Sequence, residues 1–85
     1  MKPPATGGGL SLIRLAPGEQ GRVVAVRPGT HQDRLVRLST LGVVPGALVE
    51  VEQLAPAAIL RVAETTFAVE TEIAAEIYVE RVETR

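Results

Sequence analysis

The sequence predicts a mainly β domain, a small and strongly bent barrel of five short strands with one short helix inserted after the first. Three observations carry that reading. Of the 85 residues 46% are hydrophobic but only 2% aromatic, so Val, Leu, Ile and Ala must fill one small core, and the β-branched members favour strands. Short runs rich in these residues recur between Pro, Gly and polar breaks. A single stretch, around Leu35, Leu38 and Leu41, has helical rather than alternating spacing.

The elements follow in order. Residues 1–9 are rich in Pro and Gly without apolar periodicity and read as a disordered lead-in, which leaves 10–85 as the domain. Leu12 and Leu15, ahead of Pro17-Gly18, read as an anchoring turn, and Gly21 to Val26 as the first strand, stopped by Pro28-Gly29. Thr30 followed by Asp33 approximates a capping box, so the helix begins near His31. Leu35, Leu38 and Leu41 take one side of it, and Arg34 and Arg37 lie toward the other. Gly42, able to adopt the left-handed conformation, closes the helix, and Pro45-Gly46 sets a tight turn.

Beyond that turn Val49 and Val51 alternate with Glu50 and Glu52, as expected of a strand with one buried face, and Pro56 marks its far end. The runs 58–62 and 66–69 pair as a hairpin about Ala63-Glu64-Thr65. Thr71 is read as the cap of a helical turn over Glu72, Ile73 and Ala74, and 77–82 form the last strand.

Composition excludes much. Without cysteine there are no disulfides, thiolate metal sites or cysteine nucleophiles. The N-terminal stretch lacks the apolar segment of a signal peptide, and no run approaches the roughly 20 apolar residues of a membrane span, so a cytoplasmic protein is expected. The net charge of −1 and the scarcity of aromatic stacking residues disfavour nucleic acid. Gly7-Gly8-Gly9 precedes no phosphate-binding lysine and reads as linker. His31 has no nucleophile to serve, so no enzyme and no cofactor are expected. Glu50 and Glu52 share a strand face and could gather a cation weakly, but one histidine and alternating carboxylates form no recognisable ligand set, so no metal site is assigned.

The charge is unevenly placed. Residues 1–46 hold six basic and two acidic side chains, net +4; residues 47–85 hold three basic and eight acidic ones, net −5. In a small barrel the two halves interleave into a mixed surface. The sharper reading is a basic helix face that docks an acidic partner.

The pattern Arg37-Leu38-x-x-Leu41-Gly42-x-x-Pro45-Gly46, followed by Val49-Glu50-Val51, with Pro17-Gly18 upstream and Ala74-x-x-Ile77-x-Val79 downstream, resembles the FeoA domain, ferrous iron transport protein A. The resemblance covers about residues 10–82. It implies an SH3-like β-barrel in a cytosolic accessory protein of ferrous iron uptake, with the membrane GTPase transporter FeoB as partner. The same domain type is also fused to metal-dependent repressors, and a chain of this length without DNA-binding helices fits the transporter accessory better. The sequence departs from the family at Leu54 to Ala58 and Glu64, where glycines are common, and at Glu70, where Arg is common.

Protein binding is therefore the expected activity. Leu38 and Leu41 read first as core, yet a helix on the rim of so small a barrel cannot hide every leucine. Arg34, Arg37, Leu38 and Leu41 are the candidate partner-binding residues, an apolar contact rimmed by cations, and Gly42, Pro45 and Gly46 are the structural motif. An open edge strand would add a second contact or support weak self-association. A regulatory module beside a metal-dependent repressor and a weak direct metal binder are the alternatives.

Overall fold

Helix and turn meet as the punctuation of the sequence requires. In the computed structural model, which describes residues 9–27 and 32–82, helix α1 spans Gln32–Thr40. It ends in two bonds, Gly42 N–H donating to Ser39 C=O at 3.0 Å and Val43 N–H to Leu38 C=O at 2.9 Å. This is the Schellman arrangement, in which a left-handed residue turns the chain back and orphan carbonyls are satisfied; Gly42 supplies it with φ +98°. Val43 and Leu38, the apolar pair such a motif brings together, are both buried. Next comes a turn closed by Ala47 N–H donating to Val44 C=O at 3.0 Å, with Pro45 at its first central position and Gly46, φ +95°, at its second. That is a type II turn.

The remaining elements are strand β1 Leu10–Ser11, a 3-10 turn Leu12–Arg14, β2 Gln20–Val26, β3 Leu48–Gln53, β4 Ala58–Val62, β5 Thr65–Val69, a short helix α2 Thr71–Ala74 and β6 Ile77–Val82. All strand pairs are antiparallel, in the order β1-β6-β2-β3-β4-β5. Two pairings carry bulges, at Val24 in β2 against β6 and at Glu52 in β3 against β4. A bulge bends its strand and raises the local twist, which curls so narrow a sheet around one core.

That core is aliphatic. Val49, Val51, Leu60, Ile77 and Val79 from the sheet meet Leu12, Leu15, Leu38, Val43 and Ala74, all with at most 1% of their surface exposed. Glu50 and Glu52 lie on the wetter face of β3, as the alternation predicts.

Several expectations are corrected. Among the described residues the sheet has six strands, not five: the stretch before the 3-10 turn also pairs, Leu10 with Val79 and Ser11 with Tyr78. Two residues are too few for periodicity to register. The strand order ends at β1 and β5 rather than closing, so among the described residues the barrel is open, in keeping with the expected open edge strand. Thr71 does not cap α2. Glu70 holds that position with extended backbone, and the Thr71 hydroxyl donates instead to Leu54 C=O at 3.3 Å, tying α2 to the β3–β4 connection. The expected helix stripe is also thinner than predicted: Leu38 is buried, Leu41 half-buried and Leu35 exposed, because a helix lying on the rim turns only one narrow line inward. The lead-in over residues 1–8, the stop at Pro28-Gly29, the cap at Thr30 and His31 lie outside the described residues.

Candidate functional site

Residues 34, 37, 38 and 41 are spaced i, i+3, i+4 and i+7, which places them on one face of a helix, so the expectation that Arg34 and Arg37 lie on the side away from the leucines is corrected. In the structure this face of α1 and its C-terminal extension form one wall of a cavity of about 200 Å³. The other wall is the end of β5 and the start of α2: Ala68, Val69, Glu70 and Ile73. The floor is aliphatic, and Arg34, Arg37 and Glu70 stand around it.

The four candidate residues are thus gathered at one place, but in different roles. Leu38 is a core residue, 1% exposed, that reaches the cavity only as floor; the contribution of a partly exposed Leu38 is corrected accordingly. Leu41 is half-buried beside it. Arg34 is not a free cation: its Nη1 lies 2.7 Å from Glu76 Oε2, and both side chains are about three-quarters buried. Glu76 Oε1 is buried too and has no hydrogen-bond partner among the described residues, so Arg34 is the cation that answers this carboxylate. Arg37 is exposed, and among the described residues no ion pair ends on it. The basic face therefore presents one available cation rather than two. Gly42, Pro45 and Gly46 do not line the cavity; they fix the angle between α1 and β3.

The opposite wall was not read from the sequence. Ala68 to Ile73 read as the end of a strand and a helical turn, but nothing local says that they face α1. Glu76, forty-two residues from Arg34, was equally hidden.

Elsewhere the acidic pair on β3 is already occupied. Arg61, in register with Glu50 on the neighbouring strand, places Nη2 2.5 Å from Glu50 Oε1 and Nε 3.7 Å from Glu52 Oε2. Among the described residues no three His, Cys, Asp or Glu side chains come together as a metal site. No helix among them is long and apolar enough to cross a membrane.

The family model of the FeoA domain matches residues 10–81. The chain belongs to the FeoA family. It shares the fold of a crystal structure described as iron uptake regulatory protein (FeoA), with TM-score 0.74 and 25% identity over 86% of this chain and 96% of that one. A solution structure of FeoA from Chlorobium tepidum gives TM-score 0.75 and 25% identity, covering 87% of this chain and 71% of the other. IdeR from T. acidophilum superposes at TM-score 0.80 with 22% identity; 96% of this chain is covered but only 37% of IdeR, and at that identity the likeness is one of fold. Among curated proteins none matches the sequence significantly. The SH3-like architecture and the link to iron transport follow from these matches, and the FeoA domain is a small accessory domain rather than a known enzyme family.

Proposed function

We propose that this FeoA-family chain is a non-catalytic cytoplasmic accessory of ferrous iron uptake that binds the GTPase region of a FeoB-type transporter and modulates it. The observation that carries the docking part is the cavity between α1 and β5, where an aliphatic floor has a polar rim and one uncommitted arginine. Protein interfaces favour that composition: an apolar centre, a polar edge, and arginine enriched over lysine. The iron part rests on family membership across nearly all the described residues.

Titration of the protein with the isolated cytosolic region of the transporter, with a GTP analogue, with GDP and without nucleotide, tests this reading. Backbone amide shifts clustered on α1 and the end of β5 are expected. No shift in any nucleotide state would remove it and leave the repressor-associated module, which has behind it only likenesses of fold, to IdeR and to a manganese-dependent transcriptional repressor.

A further inference from the structure

Among the described residues one strand edge lacks protection. The sheet ends at β1, two residues long, and at β5, whose five residues Thr65-Thr66-Phe67-Ala68-Val69 include no charge and no proline. Exposed edges are usually blunted by such residues, by bulges or by covering segments, and β5 pairs with β4 in unbroken register.

The register also says which backbone groups face outward. A turn of two residues, Ala63-Glu64, rather than the expected three joins β4 to β5, so the residues that close it, Val62 and Thr65, form a hydrogen-bonded pair. Alternation then makes Leu60–Phe67 and Ala58–Val69 hydrogen-bonded pairs as well. The N–H and C=O groups of Thr66 and Ala68 therefore point away from β4. No hydrogen bond among the described residues, apart from the β4 ladder, involves residues 65–69.

This edge opens into the cavity. Ala68, Val69 and Glu70 all line it, although side chains of successive strand residues point to opposite faces. A space that touches both Ala68 and Val69, the last two residues of β5, reaches the strand's edge at that end.

We infer that the site takes an extended segment of its partner as an added strand on β5, with an aliphatic side chain in the cavity and a carboxylate beside Arg37. The inference rests on the docking reading above and specifies its mode. Thr66 and Ala68 supply main-chain hydrogen bonds, which give affinity without sequence preference; the cavity and Arg37 supply the preference. The aliphatic floor of Leu38, Leu41, Val69 and Ile73 selects a leucine-like side chain, and Arg37, without an ion pair among the described residues, selects the acid. A second copy of the chain is the poorer occupant, since its own β5 carries no carboxylate to answer Arg37.

Amide hydrogen exchange on the full chain, alone and with the cytosolic region of the transporter, decides the matter, together with the affinity of Ala68→Pro. Proline at 68 removes an outward N–H without touching the β4 ladder. Protection of the Thr66 and Ala68 amides in the complex is expected, with a loss of at least tenfold in affinity for A68P and about three- to tenfold for Arg37→Glu. Binding that leaves both amides exchanging as in the free protein overturns strand addition and leaves the adaptor reading standing; should A68P fail to fold, this exchange readout alone decides. Absence of binding in every nucleotide state removes the transporter reading itself. Protection of the same amides in the free protein with a doubled mass assigns the edge to a second copy and overturns the inference.

Discussion

Arg34 and Arg37 stand one helical turn apart, and their charges do different work. Arg34 neutralises a carboxylate that is three-quarters buried, so Arg34→Glu sets two like charges against each other where water screens poorly, and should cost about 1–3 kcal/mol. Arg37→Glu changes an exposed side chain and should stay within about 0.5 kcal/mol. Urea midpoints of the two variants check this; equal midpoints would mean that the Arg34–Glu76 pair contributes nothing to folding. Reversing both charges together would therefore confound stability with binding, and Arg37 alone is the clean probe. A second residue-scale prediction concerns Ala63, the first central residue of the β4–β5 turn, with φ +56°. Among the described residues it is the one non-glycine at positive φ, in a turn position that favours glycine. Ala63→Gly should raise stability by up to about 1 kcal/mol, the strain relieved exceeding glycine's added chain entropy. A lower urea midpoint would contradict that sign.

At the scale of elements, α1 is too short to stand alone: nine residues are fewer than the roughly 12–15 an isolated helix needs in water. Its stability comes from Leu38 in the core and from the two capping bonds at Gly42 and Val43. Leu38→Ala should cost about 2–4 kcal/mol, the ordinary range for a fully buried leucine, and Leu38→Glu should unfold the domain by burying a charge. Loss of binding in L38E thus says nothing about docking unless circular dichroism first shows a folded protein. The helix end, the Pro45-Gly46 turn and the burial of Val49 and Val51 were legible in the sequence because each is decided within a few residues, by dihedral preference or by alternation. What was not legible depends on pairing across the chain. β1 exists only because β6 lies beside it, and Thr71 looks like a cap until Leu54 C=O is brought within reach. Half of the cavity wall belongs to β5 and α2, whose approach to α1 no local signal encodes.

At the scale of the whole molecule, the strongly uneven charge along the chain does not survive folding. The topology sets β2, from the basic half, between β6 and β3, both from the acidic half. Arg22 falls opposite Glu80, Arg81 Nε lies 3.6 Å from Glu19 Oε2, and Arg34 reaches across to Glu76. What remains is a mixed surface with a net charge of −1 and, at the cavity, one arginine free of ion pairs among the described residues, close to Glu70. A basic face steering an acidic partner over long range would show affinity collapsing with salt, since exposed charges more than about 10 Å apart are screened at 0.1 M. The geometry predicts the opposite. One exposed ion pair contributes about 0.2–1 kcal/mol, so the affinity for the transporter's cytosolic region should fall no more than about fivefold between low and high salt. Arg37→Glu should lose most of that remaining dependence, while the apolar floor and strand-edge contacts persist. Isothermal titration at several salt concentrations measures both quantities. A fall of a hundredfold or more would mean that charges outside this cavity dominate docking, and would move the interface elsewhere on the surface.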